Sequence, residues 1–281
     1  MKLVLILGFI ALSSALSISR QEVDNEWQKF KHEYRKNQYY ANSNEEALRK
    51  QIFADTYDMI VRHNKEADEG IHTYRLGVNQ FSDITDEEYR QMLTLDVSGL
   101  EGQQTYDKKP YSIKAQLPES VDWRDKKVVT AVKTQGSFVP PLDKEENYPY
   151  KGVYQNCSYQ AKYSGASITG YTNVTSGDED ALKEAIATNG PVVVSIDASL
   201  STFKNFNGSG VYNDKQCKSA FKDLNHDMVA VGYGTENGQD YYIVKNSFGT
   251  TFGDHGYIKM ARNANNNCGI ATYALYPTGV Q

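Results

Sequence analysis

The chain has 281 residues, of which 40% are hydrophobic and 23% are charged, and its formal net charge at pH 7 is -5. These are ordinary values for a folded protein of one large or two smaller domains, and they exclude disordered, collagen-like and low-complexity proteins. The acidic balance argues against a nucleic-acid partner, because no surplus of basic side chains is available to neutralise phosphates. Five His and three Cys residues are too few and too scattered for a structural zinc site, so we expect neither a metal nor a cofactor.

The first 17 residues have the pattern of a secretory signal peptide. Met1 and Lys2 precede an apolar run from Leu3 to Leu12, and small residues follow up to Ser17. The run is about half of the ~20 apolar residues needed to cross a bilayer, so a membrane anchor is not expected. We therefore expect a secreted or lysosomal protein. On that route three N-x-[ST] sequons are glycosylation candidates, at Asn156, Asn173 and Asn207.

The region from about residue 23 to residue 95 is predicted to be helical and charged. One helix face carries aromatic residues at i, i+3 and i+7, namely Trp27, Phe30 and Tyr34. Capping boxes, in which a Ser or Thr and a Glu three residues later cap each other's backbone amides, are predicted at Ser43–Glu46 and Thr85–Glu88. The helix opened by the first box should end near Gly70, and residues 73–78 alternate like a strand.

Beyond this helical region the chain changes character. Residues 99–116 lose periodicity and are predicted to be an extended linker. One helix is predicted after Ser176, with Glu179 completing its cap and Gly190 ending it. The other predicted elements are short strands, at residues 128–132, 192–196, 228–233, 241–244, 257–260 and 271–275. The fold class is therefore α+β, with a helical front module (residues 18–116, linker included) and a β-rich back module (residues 117–281).

Four motifs follow one another along the chain. Two lie in the front module: Glu45, Arg49, Phe53, Thr56, Ile60 and Asn64, and then Gly77, Asn79, Phe81 and Asp83. Two lie in the back module, where Asn225-His226 opens one β-rich run and Lys245-Asn246-Ser247-Phe248-Gly249 ends another. In this order they resemble the proenzymes of papain-like cysteine proteases (peptidase C1) of the cathepsin L type. The first two resemble the ERFNIN and GNFD signatures of the inhibitor-type propeptide, with Thr56 where the family has Asn.

The resemblance implies a cysteine endopeptidase that acts on peptide or protein substrates. In that family a thiolate attacks the peptide carbonyl beside an imidazole that a third side chain orients. By resemblance, His226 is the imidazole, Asn246 orients it and Gln135 helps to bind the oxyanion. The family's two tryptophans in the Asn246 segment are Phe248 and Phe252 here. Asp227 stands where the family has a small residue, and its carboxylate would stabilise a charged imidazole.

The nucleophile of this family is missing from the sequence. The family reads QGxCGSCW, whereas this chain continues from Gln135 through Gly-Ser-Phe-Val-Pro to Pro141, at the position of the nucleophilic Cys. A segment that the family places far downstream, Tyr148-Pro149-Tyr150, begins 13 residues after Gln135. The resemblance therefore implies that about 50 residues are absent, a third or more of a typical domain. We expect an incomplete papain-like fold that keeps the β-barrel lobe and lacks most of the helical lobe.

The three cysteines fit this interpretation. By resemblance, Cys217 and Cys268 form a disulfide, and Cys157 has lost a partner that lies in the absent stretch. An odd count is unusual on an oxidising route, although an ordinary free thiol is the alternative. Without the helical lobe, we expect an exposed apolar face on the barrel near His226 and Asn246. We also expect the barrel to bind the front module through aromatic contacts at Phe206 and Tyr212.

Three functions remain open at this point. The first is a secreted papain-like homologue without peptidase activity. The second is a propeptide-type inhibitor, in which the front module binds an active cathepsin L-like protease in trans. The third is a splice or gene-model variant of an active enzyme, which sequencing the transcript across residues 137–147 would reveal.

Overall fold

The computed structural model describes residues 18–36, 40–93, 95, 97, 117–134, 142–144, 146–149, 151 and 156–281. The predicted signal peptide, the whole linker, Gln135 and Pro141 lie outside these residues. In the described part of the chain, no helix is long and apolar enough to span a bilayer.

The front module folds as helices and one short strand: α1 (Arg20–Tyr34), α2 (Ser43–Asp68), β1 (Tyr74–Leu76) and α3 (Asp86–Gln91). Helices α1 and α2 pack through a small aromatic core in which Trp27, Phe30 and Phe53 are buried. The ring centroids of Trp27 and Phe30 lie 5.4 Å apart, and those of Phe30 and Phe53 lie 5.1 Å apart. The aromatic spacing read from the sequence therefore marks the face of α1 that is buried.

The two predicted capping boxes have different outcomes. The box at α3 is confirmed, since the Thr85 Oγ1 accepts from the Glu88 amide at 3.1 Å and the Glu88 Oε2 accepts from the Thr85 amide at 2.8 Å. The box at α2 is wrong by one residue. Its N-cap is Asn42, whose Oδ1 accepts from the amides two and three residues on, and Glu45 reaches back to the preceding backbone. Asn and Ser are nearly equal as N-caps, so adjacent candidates cannot be ranked by residue type.

The back module is built on a seven-stranded antiparallel sheet with the order β10-β9-β8-β6-β11-β5, and β2 pairs with β8 beside this path. Its strands are β2 (Val121–Asp122), β5 (Gly170–Asn173), β6 (Val192–Ile196), β8 (His226–Glu236), β9 (Gln239–Lys245), β10 (Tyr257–Ala261) and β11 (Tyr273–Thr278). A separate short pair joins β3 (Leu142–Asp143) to β4 (Ser164–Ala166). Two helices, α4 (Glu179–Asn189) and α5 (Ser201–Lys204), flank β6 in sequence, and β7 (Phe206–Gly210) follows α5.

Two predicted features of the back module are wrong. Residues 128–132 form no strand, and Val128 is exposed. A β-branched run becomes a strand only where a neighbouring strand supplies hydrogen bonds, so β-propensity alone misleads here. Helix α4 is capped by Asp178, whose Oδ1 accepts from the Ala181 amide at 2.9 Å, and the predicted cap Ser176 donates instead to the Thr272 carbonyl.

The two modules share one hydrophobic core. Strand β1 of the front module pairs antiparallel with β7 of the back module. Tyr74 on β1 packs against Tyr212 with ring centroids 4.7 Å apart and lies 6.4 Å from the Phe206 ring. The predicted aromatic contacts at Phe206 and Tyr212 are therefore confirmed. Because front-module residues are buried in the same cluster as the barrel strands, the described structure is one packed body.

Candidate active site

Strands β8 and β9 bring His226 and Asn246 together. His226 is the first residue of β8, and Asn246 directly follows β9, its antiparallel neighbour. The imidazole Nε2 lies 2.8 Å from the Asn246 Oδ1. A carbonyl oxygen only accepts, so Nε2 carries the proton and Nδ1 carries none in the neutral imidazole. Nδ1 is thus the nitrogen that can accept a proton from a reacting group.

Aromatic rings enclose this pair. The Phe248 ring stacks on the His226 imidazole at 4.7 Å with an interplanar angle of 22°. Phe203 approaches the imidazole edge-on at 6.5 Å, and Phe252 meets Phe248 edge-on at 5.5 Å. Both His226 and Asn246 are buried. The smaller rings that replace the family's tryptophans therefore still keep water from the His226–Asn246 hydrogen bond.

Burial sets the charge of the imidazole. Desolvation lowers the pKa of His226 below its ordinary value, and the hydrogen bond to Asn246 and the charge of Asp227 oppose this only in part. Asp227 is exposed and accepts from the Ser195 Oγ at 2.5 Å, because side chains alternate along β8 and Asp227 points away from His226. The Asp227 carboxylate therefore favours the charged imidazole, as expected, but burial outweighs it and His226 is neutral at pH 7.

The front module covers this part of the barrel. Phe81 packs edge-on against Phe248 at 5.2 Å, and the Gln80 Nε2 donates to the Phe248 carbonyl at 3.0 Å. The Leu95 amide donates to the Asn225 carbonyl, next to His226, at 3.4 Å. The exposed apolar face that we expected near His226 and Asn246 is therefore wrong for the described residues, because the front module folds back onto it.

The remaining predicted site residues have separate outcomes. Gln135 lies outside the described residues, although Thr134 directly before it forms a β-bridge with Phe248. Cys217 and Cys268 form a disulfide, as the resemblance implied. Cys157 is a free and exposed thiol. In the described part of the chain, no group of three His, Cys, Asp or Glu side chains is arranged to hold a metal ion.

Sequence reasoning missed a buried ion pair between the modules. Lys204 on α5 lies 2.7 Å from an Asp86 carboxylate oxygen on α3, and its side chain is 3% exposed. Tyr74 similarly donates to the Asp214 carboxylate at 2.9 Å. Each contact joins residues more than 100 positions apart, so only an alignment with covarying positions could have indicated it.

Comparison with known proteins agrees with this geometry. The model of the cathepsin propeptide inhibitor domain (I29) matches residues 27–89, and the model of the papain family cysteine protease matches residues 140–278. A cathepsin L-like peptidase of Aedes aegypti is 36% identical over 98% of this chain and 98% of its own length. The chain belongs to the papain family of cysteine proteases.

Further relatives of this papain-family chain include cathepsin S of Mus musculus, 36% identical over 91% of this chain and 90% of that protein. The digestive procathepsin L2 proteinase from the Tenebrio molitor larval midgut has a similar structure, with a TM-score of 0.82 and 32% identity over 91% of this chain and 99% of that one. The fold is therefore α+β and papain-like, with an N-terminal helical propeptide.

The alignment with the Aedes aegypti peptidase also gives a difference in length. It spans 340 positions, whereas this chain has 281 residues, so at least 59 aligned positions have no residue in this chain. The described residues between α3 and α4 contain no α-helix. Both observations fit an incomplete papain-like fold.

Proposed function

We propose that this chain is a secretory papain-like homologue without peptidase activity, whose front module stays docked on the barrel. The observation that carries the proposal is the absence of a nucleophile. Pro141 stands six residues after Gln135, where the family's nucleophilic Cys belongs, and a proline side chain has no group that can attack a carbonyl.

The cysteines that remain support this proposal. Two of the three are consumed in the disulfide between Cys217 and Cys268. The third, Cys157, is exposed, whereas His226 lies buried among Phe248 and Phe203. Activation of a thiol requires a hydrogen bond to the base, and an exposed thiol is not part of that buried cluster. His226 and Asn246 are then vestigial, with an orienting bond but no group to deprotonate.

The docked state of the front module follows from the same absence. An active proenzyme can cut its own propeptide, whereas this chain would need another protease to do so. Tyr74, Leu76 and Phe81 of the front module are buried in the shared core, and the Asn79 side chain donates to the Lys204 carbonyl at 2.8 Å. Undocking would expose these apolar residues and leave buried polar groups unpaired.

This geometry weighs against inhibition in trans. To bind an active relative, the front module would have to present a surface that it already uses against its own barrel. We therefore expect the folded chain to leave a cathepsin L-like protease uninhibited at concentrations where the barrel remains folded. Strong inhibition by the intact chain would instead favour the inhibitor function.

Incubation at acid pH tests the proposal. The full chain is held at pH 4.5 without added protease, and its intact mass is followed for a day beside a His226→Ala variant. We expect both to keep their full mass, because neither can attack a peptide bond. Loss of the front module from the wild type alone would overturn the proposal, since it would require His226 in a working active site. Transcript sequencing across residues 137–147 decides whether a longer, active form is also made.

A further inference from the structure

The structure separates the three N-x-[ST] sequons by their surroundings. Asn173 is buried in strand β5, opposite Leu275 of β11, and the next residue, Val174, is also buried. A sugar on Asn173 would have to replace part of the sheet, so the fold excludes it. Asn156 and Asn207 are exposed, and only Asn207 lies at the contact between the two modules.

Both ends of the Asn207 amide have fixed partners. The Oδ1 accepts from the Ser209 amide at 2.9 Å, and the Nδ2 donates to the Leu76 carbonyl of strand β1 at 3.2 Å. A side-chain amide nitrogen has two hydrogens, so this contact uses one of them. The second hydrogen is available for replacement by a sugar carbon.

The geometry of a secondary amide decides which hydrogen remains. A glycosylated Asn is a trans amide, so the sugar carbon lies on the Oδ1 side of Nδ2 and the remaining hydrogen lies on the Cβ side. Gly77, the residue after strand β1, lies against the Asn207 side chain, because a Cβ on Gly77 would be 2.9 Å from the Asn207 Cβ and 3.8 Å from its Nδ2. The bond to Leu76 is compatible with a glycan on Nδ2 when the hydrogen on the Cβ side makes it.

A shallow polar cavity, largely open to solvent, lies next to this amide. It has a volume of about 460 Å³, and its lining includes Asn207, Ser209, Thr250, Asp254 and His255. These side chains offer hydroxyl, carboxylate and imidazole groups as hydrogen-bond partners for the hydroxyl and acetamide groups of a sugar. The middle residue of the sequon, Gly208, has a φ of 93°, and a Cβ there would lie 2.6 Å from the Asp254 amide nitrogen. Only glycine lets the sequon lie against the loop that forms the cavity.

We propose that Asn207 is an N-glycan attachment site and that its first N-acetylglucosamine lies in this cavity while the front module remains docked. The inference rests on the secretory route of the proposed function. In the transfer, Nδ2 forms a bond to C1 of the oligosaccharide, and the bond from C1 to a lipid-linked diphosphate breaks. The amide loses one proton, and the lipid diphosphate leaves with the electron pair. The sugar then covers the seam between β1 and β7.

Glycan mapping tests the site. The full chain is produced in insect cells, and the secreted protein is treated in ¹⁸O water with an amidase that removes N-glycans. This enzyme converts each Asn that carried a glycan to ¹⁸O-labelled Asp, which mass spectrometry detects. The matched control is Ser209→Ala, which removes the sequon but keeps the Asn207 side chain and its bond to Leu76. We expect label at Asn207, none at Asn173, and loss of one glycan in Ser209→Ala.

Hydrogen exchange tests the docked state. We expect the β1 amides to be protected to within about twofold in glycosylated wild type and in Ser209→Ala. Label at Asn156 without label at Asn207 would overturn the site while leaving the secretory route intact. A chain found unglycosylated in the cytosol would overturn the secretory route of the proposed function, and with it this inference. Label at Asn207 with loss of β1 protection would overturn the retained bond to Leu76.

Discussion

The buried ion pair between Lys204 and Asp86 gives an asymmetric prediction. The Lys204 Nζ contacts the Asp86 Oδ1 at 2.7 Å and the Ile84 carbonyl at 3.2 Å, and its side chain is 3% exposed. The Asp86 side chain is 42% exposed and also accepts from the Ser201 Oγ at 2.7 Å. Removing the Asp86 carboxylate therefore leaves the Lys204 ammonium buried without a counter-charge. Removing the Lys204 ammonium leaves the Asp86 carboxylate with a second donor and access to water.

The magnitudes differ accordingly. Asp86→Asn keeps the shape of the side chain but leaves the Lys204 ammonium buried without a counter-charge, which should lower the free energy of unfolding by about 3 kcal/mol. Lys204→Met removes the buried charge and keeps a similar stem, so its effect should stay within about 1 kcal/mol. The double variant should resemble Lys204→Met, which gives a coupling free energy of about 3 kcal/mol in magnitude.

Urea unfolding of the wild type and the three variants at pH 7 measures these free energies. Equal losses in the two single variants, or a coupling free energy below about 0.5 kcal/mol, would refute the argument from burial.

The dependence of stability on pH tests the same ion pair in a second way. Burial raises the pKa of Asp86, but hydrogen bonds from Lys204 and Ser201 outweigh it, so the pKa lies below its ordinary value of 3.8. The contribution of Asp86 to stability is thus present above that value and is lost as the pH falls, and Asp86→Asn should abolish this loss.

Three further predictions concern other contacts. Burial lowers the pKa of His63 below 6.5, so the stability of the chain should fall as the pH drops below 6.5. In thermal melts, His63→Gln should flatten the dependence of the melting temperature on pH. An unchanged dependence would contradict its assignment to His63. Gly210→Ala puts a Cβ 2.1 Å from the Thr73 carbonyl oxygen, so hydrogen exchange should show the β1 amides unprotected. The control Gly238→Ala has a similar φ but open space around it, so it should leave the β1 amides protected. Cys157 should take up one equivalent of iodoacetamide per unreduced chain, and uptake of none would mean that it is bonded.

Local patterns made much of the fold predictable. The aromatic face of α1, the capping box of α3 and five of the six strands predicted in the back module were readable because each depends on residues close in sequence. The predicted run at 128–132 failed because a strand also needs a neighbour, which a single sequence does not supply. The cap of α2 was placed one residue late because Asn42 and Ser43 are both good caps.

The candidate site was also predictable only in part. His226 and Asn246 could be named in advance because each adjoins a strand-forming run with a recognisable motif. The packing of the front module over these two residues could not be predicted, because Phe81 and Phe248 are 167 positions apart and meet only after the modules dock. The expected absence of most of the helical lobe thus led us to expect an exposed apolar face, although the front module covers the barrel near His226 and Asn246.

The absence of peptidase activity is the central claim, and a turnover assay tests it most directly. The purified chain, its His226→Ala variant and an active cathepsin L-like protease are incubated at acid pH with a dipeptidyl fluorogenic substrate, with and without an epoxide inhibitor of thiol proteases. We predict inhibitor-sensitive turnover for the active protease alone, and the same background for the wild type and His226→Ala. Turnover by the wild type that the inhibitor abolishes and His226→Ala lacks would contradict the account, because it would require a working thiolate beside His226.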